Sequence, residues 1–324
     1  MRDKKKVVLG FFIALFLIVS FTFVSASLWD SITGKAVKPV QTRVNVVNPT
    51  VPPVILYVSD LNVKDLFSNS SRITNISFLV YSVGGLSVLP TDGGTSKGKL
   101  LEINIGTLRN NVSCNYMPNA TPIYYNGLPV RNYSCDIPVW YFDEAGSALD
   151  PNWRINVSIY DRFNNFAFNQ TRLTWLNALS DWEGGQATLN WSNVVLGSVN
   201  DLSDFNITVY NIGNQDIWNV SVNSTNLNGT GTKPTDQILA SWFSSTNVTL
   251  NFNLCTIPPS YELTHNVFIP TPNYVNHRLS VITGPTTSIP ASRFQGFCLR
   301  QITGIEPQVY RSAAGAPWVM DVQF

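Results

Sequence analysis

The stretch FNITVYNIGNQDIWNVSV, residues 205–222, indicates the class of fold. Apolar and polar residues alternate at 205–210 and again from Trp218 onward, which is the period of a strand with one buried face. Between the two runs, residues 211–216 are rich in Asn, Gly and Asp, which favour turns. The stretch therefore predicts a β-hairpin whose second strand buries Trp218, Val220 and Val222.

Similar alternations recur along the chain, and no stretch after residue 28 has a helical period. Many short strands separated by turn residues are typical of β-sandwiches. We therefore predict an all-β protein with two Ig-like antiparallel β-sandwich domains in tandem after an N-terminal hydrophobic helix. The expected inward faces are Ile76/Phe78/Val80, Leu101/Ile103/Ile105 and Trp153/Ile155/Val157/Ile159.

Composition and the positions of polar stretches rich in Gly and Pro divide the chain into five parts. The last part is expected to be a loose tail or an extra edge strand. The parts are a signal peptide or signal anchor at 1–26, a linker at 27–53, a first sandwich at 54–178, a second sandwich at 179–300 and a C-terminal tail at 301–324.

The N-terminus has the pattern of an export signal. Basic residues at 2–6 precede an apolar run at 7–24, and small residues come directly after it, so that cleavage after Ala26 is one interpretation. The run is also just long enough to span a bilayer, so that retention as a membrane anchor is the other. Both place residues 30–324 outside the cell, either secreted into the envelope or held at the outer face of the membrane.

Four cysteines occur as two pairs, one in each predicted sandwich. Because an exported chain meets an oxidising compartment, we expect two disulfides rather than four free thiols. The predicted pairs are Cys114–Cys135 and Cys255–Cys298, although spacing alone does not fix connectivity.

N-glycosylation triplets are more frequent than composition requires. With 34 Asn and 56 Ser or Thr among 324 residues, composition alone gives about 6 triplets, whereas the chain has 13. In a strand, the Asn and the Ser or Thr share one face and the middle residue points to the other, so we expect outward sugars and buried middle residues. The acceptors are Asn69, Asn75, Asn111, Asn119, Asn132, Asn156, Asn169, Asn190, Asn206, Asn219, Asn223, Asn228 and Asn247.

Motifs that suggest chemistry are incomplete. Residues 93–99 have the spacing of a phosphate-binding loop, but Leu100 stands where a magnesium-binding Ser or Thr is required, so a flexible hairpin loop is predicted. His265 and His277, the only histidines, lack a third zinc ligand and are expected in turns or at the surface. We expect no cofactor and no metal.

A structural calcium ion bound by loop carboxylates is kept as an alternative. The candidate carboxylates are Asp143/Glu144/Asp150, Asp181/Glu183 and Asp201/Asp204.

The tryptophans offer a further candidate site, because exposed aromatic rings can bind sugars. Trp140, Trp153 and Trp218 lie in strand-like alternations and are expected in the core. Trp29, Trp182 and Trp318 lie outside clear strands and are the better candidates for exposed contacts.

Two segments resemble Ig-like repeats of archaeal cell-surface proteins. Asn211-Ile212-Gly213-Asn214 resembles the "NTGN" hairpin of CARDB-like repeats. Residues 140–165 contain an aromatic-Asp-Gly turn before WRINVSIYD, which is similar to a recurrent Ig-type element of archaeal envelope proteins. ITGKAV at 32–37 is similar to the segment after the leader in exported proteins of small-genome archaea. The resemblance implies an envelope location and Ig-like folding, and no particular chemistry.

These observations favour an exported, N-glycosylated structural protein of the cell surface, without catalytic activity. A net charge of +1 gives no reason to expect nucleic acid as a partner. The expected partners are other envelope proteins or glycans, and the membrane if the leader is retained. One alternative is an adhesin or a carbohydrate- or protein-binding module, which needs an uncovered aromatic or apolar patch. A less favoured alternative is a secreted hydrolase, which needs a cleft with paired acids.

Overall fold

The computed structural model describes residues 51–324, except for 93–94, 103–107, 120, 122, 186–187, 248–259 and 283–286. The predicted leader, and all but the end of the predicted linker, lie outside the described residues. Over the part of the chain that is described, no helix is long and apolar enough to cross a membrane.

The described chain is all-β and antiparallel, which confirms that part of the predicted fold. Among the described residues, 3₁₀ turns at Leu86–Val88, Ala240–Trp242 and His277–Leu279 interrupt the strands. The strands are β1 Val54–Val58, β2 Ser71–Tyr81, β3 Ser96–Glu102, β4 Leu108–Ser113, β5 Asn115–Tyr116, β6 Ile123–Tyr125, β7 Leu128–Trp140, β8 Trp153–Tyr160, β9 Phe166–Thr174, β10 Trp182–Gly184, β11 Asp201–Leu202, β12 Ile207–Asn211, β13 Ile217–Asn223, β14 Leu227–Gly229, β15 Gln237–Ile238, β16 Phe243–Asn247, β17 Tyr261–Glu262, β18 Phe268–Val275, β19 Val281–Ile282, β20 Ser288–Ile289, β21 Ala291–Leu299, β22 Tyr310–Ser312 and β23 Val319–Gln323.

Strands β1–β9, here called the first half, form two sheets that face each other. One sheet has the order β1-β2-β7-β5, with β6 also on β7, and the other has the order β4-β3-β8-β9. Phe78 and Tyr133 from the first sheet and Trp153 from the second are fully buried in one core cluster. The alternation predicted for β2 and β8 is confirmed, because Ile76, Phe78, Val80, Trp153, Ile155, Val157 and Ile159 are all 0% exposed.

The predicted disulfide Cys114–Cys135 is present and lies within this core. A Cβ atom on Gly98 of β3 would lie 2.6 Å from Cys135 Sγ and 2.9 Å from Cys135 Cβ. Such distances are shorter than van der Waals contact, so a side chain at position 98 would overpack the core. The glycine therefore lets the opposite sheet approach the disulfide.

Two sequence predictions in this region are wrong. Residues 96–99 belong to β3 rather than to a flexible loop, because Ser96, Gly98 and Leu100 form its buried face. That face continues to Glu102, which is 5% exposed, whereas Leu101 is only half-buried. The predicted face of Leu101 is therefore off by one residue, and Ile103 and Ile105 lie outside the described residues.

Strands β10–β23, here called the second half, form several smaller sheets. The largest has the order β10-β12-β21-β16-β17, with β11 also on β21. The others are β18-β13-β23, β15-β14-β22 and β19-β20. Within the predicted tail, β22 pairs with β14 and β23 with β13, so that residues 310–312 and 319–323 extend these sheets.

The predicted hairpin at 205–222 is also wrong, although its two strands are present. β12 pairs with β10 and β21, whereas β13 pairs with β18 and β23. The strands belong to different sheets, and each contributes buried side chains to the core. The turn at 211–216 therefore connects one sheet to another. Alternation identified the inward faces, but it contains no information about which strand is the hydrogen-bonded neighbour.

Candidate functional site

The sequence-predicted modification sites divide between confirmed and untested positions. Cys114 and Cys135 are joined, and Cys298 is buried in β21. Its predicted partner Cys255 lies outside the described residues, so that pairing stays a prediction.

The described acceptor asparagines are exposed or half-buried, and none is buried. Asn69, Asn119 and Asn190 are exposed, while the side chains of Asn111 and Asn247 lie outside the described part. In five of the triplets the middle residue points inward as the sequence argument requires, whereas Gln170, in the Asn169 triplet of β9, is exposed. These buried middle residues are Ile76, Tyr133, Val157, Ile207 and Val220. Glycan occupancy itself remains a prediction.

An exposed aromatic pair lies on the outer side of the β18-β13-β23 sheet. Trp218 of β13 is 57% exposed and Tyr274 of β18 is 42% exposed, and their ring centroids are 4.9 Å apart with the planes inclined by 42°. We call this pair the aromatic platform. The prediction that Trp218 belongs to the core is wrong: the pairing of β13 with β18 shifts register beside it, and its side chain is directed outward.

Polar groups surround the platform and fix one of its rings. Tyr274 Oη donates a 2.6 Å hydrogen bond to Asp216 Oδ2 and accepts one of 3.1 Å from Asn276 Nδ2. On the other side of Trp218 in sequence, Asn219 Nδ2 donates to Gln323 Oε1 at 2.9 Å. A tyrosine held at its hydroxyl loses little further freedom when a ligand stacks on its ring, which favours binding.

Beneath the platform, His277 joins the two halves. Its backbone N donates to Asp216 Oδ1 at 3.0 Å, and its Nδ1 is 2.5 Å from the same oxygen. Its Nε2 is 3.1 Å from Glu144 Oε2, in the first half. His277 lies in the 3₁₀ turn His277–Leu279, in agreement with the prediction of a turn histidine, but it is only 6% exposed and not at the surface, while His265 is exposed.

Two neighbouring carboxylates favour the protonated form of His277. Burial lowers the pKa of His277, but the hydrogen bonds and charges of Glu144 and Asp216 outweigh burial and raise the pKa above its ordinary value. Conversely, burial raises the pKa of Glu144, but the bond to His277 and the charge of Arg278 bring it below its ordinary value. Arg278 also bonds to Glu144 and lies 3.3 Å from Glu102. A protonated His277 is therefore paired with two carboxylates.

The turn at 211–216 completes the contact between the halves. Asn214 is buried, and its Nδ2 donates to Asp143 O at 3.0 Å and to Asn177 O at 3.1 Å. Its Oδ1 accepts from Leu179 N at 2.6 Å. A Cβ atom on Gly213 would lie 2.2 Å from Leu179 O, so only glycine permits this approach.

Several of the candidate calcium ligands make internal contacts, whereas Asp201 Oδ2 is buried without a hydrogen-bond partner among the described residues. Asp143 is buried, which raises its pKa to about 6 despite the 2.5 Å ion pair with Arg109. Glu144 belongs to the His277 cluster, and Asp204 accepts from Ser192 and Asn190. Among the described residues, no group of three His, Cys, Asp or Glu side chains is arranged to hold a metal ion.

The other tryptophans differ in their surroundings. Trp140 and Trp153 are buried as predicted, whereas Trp29 lies outside the described residues. Trp182 and Trp318 are half-buried and line a cavity in the second half. The partners of the aromatic platform were missed by sequence analysis, because Tyr274, Asn276 and His277 are far from Asp216 in the chain.

No family model and no curated protein sequence matches this chain. Among solved structures, the CupB6 tip adhesin from Pseudomonas aeruginosa aligns with 79% of this chain and 90% of its own chain, at 12% identity and a TM-score of 0.19. A likeness at this TM-score carries no argument about fold or function.

Proposed function

We propose that the chain is an exported, N-glycosylated, non-catalytic protein of the cell envelope that binds carbohydrate through the aromatic platform. The observation that carries the proposal is the exposed Trp218–Tyr274 pair with its fixed hydroxyl and neighbouring amides. A sugar ring has an apolar C–H face with hydroxyls at its rim. Exposed aromatic rings next to polar groups are complementary to both features.

The exposed aromatic platform favours a binding role over a purely structural one, because exposed apolar surface promotes non-specific association. A passive envelope component gains nothing from two large exposed rings, which invite non-specific association. The two sheets of the first half, and the antiparallel strands of the second, are in keeping with tandem Ig-like sandwiches. In this proposal they display the platform outside the cell, either anchored by the N-terminal segment or secreted.

The test is binding of the full chain to an array of neutral and acidic oligosaccharides, compared with Trp218→Ala and Tyr274→Ala. Loss of one stacking ring is expected to weaken binding by about tenfold or more. Tyr124→Ala is the matched control, because Tyr124 is 64% exposed on β6 of the first half. Equal binding by wild type and both platform variants would contradict the proposal.

The platform lies next to Asn219, which is a predicted glycosylation site. The sugar bound by the platform could therefore come from another molecule or from the protein's own glycan at Asn219. The Asn219→Gln variant cannot carry that glycan. It should therefore bind an external glycan at least as tightly as the wild type does. If instead the Trp218 ring is protected only when Asn219 carries a glycan, the platform binds the protein's own sugar and the adhesive role fails.

A further inference from the structure

A large cavity lies inside the second half, away from the platform's exposed face. Its volume is about 1300 Å³. Protein interiors are packed so densely that voids larger than a water molecule are few, and typical ligand pockets have about 300–1,000 Å³. This space opens to solvent at its rim and is large enough to take a ligand.

The cavity has an apolar floor and an exposed rim. Val222, Phe243 and Phe297 line it and are 0% exposed, while Val195 and Leu196 line it and are 69% and 46% exposed. Trp191 and Trp318 pack against Phe243 with ring centroids 5.0 Å away in each case. The apolar floor favours contact with an apolar molecule, because such contact removes apolar surface from water. The lining runs from the buried Phe243 and Phe297 to the exposed Val195 and Leu196, so an extended apolar chain can contact both ends.

The rim carries one cation that is not neutralised. Arg311 lines the cavity, is exposed, and has no ion pair or side-chain hydrogen bond to any described residue. Glu306, the one acidic residue among the described lining residues, is paired with Lys233 at 2.5 Å. Asp236, whose Oδ2 accepts from Glu306 N at 2.9 Å, adds a negative charge beside Lys233. The guanidinium of Arg311, unpaired among the described residues, and not the net charge of the rim, is therefore the group that an anionic head group would bind.

We propose that this cavity binds a long aliphatic chain that ends in a carboxylate, with the chain between the sheets and the carboxylate at Arg311. The site is separate from the aromatic platform and does not depend on the carbohydrate proposal. The Trp218→Ala variant is accordingly expected to bind the aliphatic acid as well as the wild type does.

The experiment is photo-crosslinking of the full chain, in the membranes of the cells that express it, with a diazirine derivative of hexadecanoic acid. The neutral diazirine hexadecanol is the parallel probe. Crosslinked peptides are mapped by mass spectrometry. Labelling by the acid is expected on residues 188–196 and 305–312 and not on the β9 peptide. Labelling spread evenly over both halves would overturn the site.

Two variants separate the head group from the chain. Arg311→Gln should reduce labelling by the acid about tenfold and leave labelling by the alcohol unchanged. Arg293→Gln is its control, since Arg293 is exposed on β21 and does not line the cavity. Equal labelling of Arg311→Gln and wild type by the acid would overturn the role of the carboxylate.

Val194→Trp fills the cavity and should abolish labelling by both probes, while Val199→Trp, at a position that is 65% exposed and outside the lining, should not. Arg311→Gln changes only an exposed side chain and is expected to fold. The proposal can therefore be tested with this variant even if Val194→Trp does not fold. Undiminished labelling of a folded Val194→Trp variant would overturn the cavity as the binding site.

Discussion

The two halves of the described chain use the same strand pattern but pack their interiors differently. The first half has one main cluster of buried side chains, running from β1 through β8 and closed by the Cys114–Cys135 disulfide. The second half divides its buried side chains into two main clusters and leaves a cavity of about 1300 Å³. Alternation alone therefore does not determine packing density. A rigid scaffold and an open interior can arise from equally regular strands.

Two buried phenylalanines, one in each half, test this difference most strongly. Phe78→Ala is expected to destabilise the first half by about 3–5 kcal/mol, because a fully packed site cannot collapse around the missing ring. Phe243→Ala should cost the second half less, since Phe243 already borders a cavity. Hydrogen exchange measured by mass spectrometry gives the opening free energy of each half separately. Equal losses for the two variants would break the comparison.

A matched pair of glycines gives the next largest effect. Gly98→Ala places a Cβ atom 2.6 Å from Cys135 Sγ, and the overpacked core should lose about 1–3 kcal/mol. Gly184→Ala, beside the cavity, meets its nearest neighbour, the Trp182 ring, at 3.6 Å and should be close to neutral. Urea unfolding of both variants measures the two free energies. A neutral Gly98→Ala would show that the core of the first half has room to spare.

The junction between the halves should respond to pH through His277. Its pKa is raised from 6.5, so its stabilisation is fully present below 6.5 and is lost as the pH rises through the raised value. The pKa of Asp143 is also raised, from 3.8 to about 6. The stability that depends on the protonation of Asp143 is therefore lost mainly as the pH rises from about 4 to about 6, below the range in which His277 titrates. Between pH 6.5 and 9 we expect a loss on the order of 1 kcal/mol in the wild type.

His277→Gln is the variant that sharpens this prediction. It removes the titrating group, so its urea midpoint should change less than that of the wild type over the same pH range. His265→Gln, at an exposed histidine, should keep the wild-type dependence. A junction whose stability increases from pH 6.5 to 9 would have the wrong sign for the pairing of His277 with Glu144 and Asp216.

The smallest expected effect on stability belongs to Trp218→Ala. Although tryptophan is the largest side chain, this one is 57% exposed, and surface substitutions usually change stability by less than about 0.5 kcal/mol. The thermal midpoint should therefore stay near the wild-type value even if carbohydrate binding is lost. A large destabilisation would mean that the ring supports the fold rather than a ligand.

These differences also show how far the sequence could be interpreted. The all-β class and the faces of β2 and β8 could be predicted from alternation. The Cys114–Cys135 disulfide could be predicted from the export signal and from the position of one cysteine pair in each half of the sequence. The burial of Glu102 could not be foreseen, because its charged neighbour Arg278 comes from the other half. Likewise, β12 and β13 were assigned to one hairpin because they are adjacent in sequence. The strand that pairs with β13 is β18, which is distant in the sequence. This pairing brings Tyr274 next to Trp218 and so creates the aromatic platform.

The turn that joins β12 to β13 has a mechanical consequence for a protein displayed outside a cell. If the chain is pulled, the two halves can separate only after the bonds of Asn214 to Asp143, Asn177 and Leu179 break. Asn69 N, bonded to Ile212 O, and the His277–Glu144 pair resist the same separation. Force is thus shared among several short contacts that yield together. A pull along the chain therefore loads this junction together with the two halves, and the junction adds a resistance of its own.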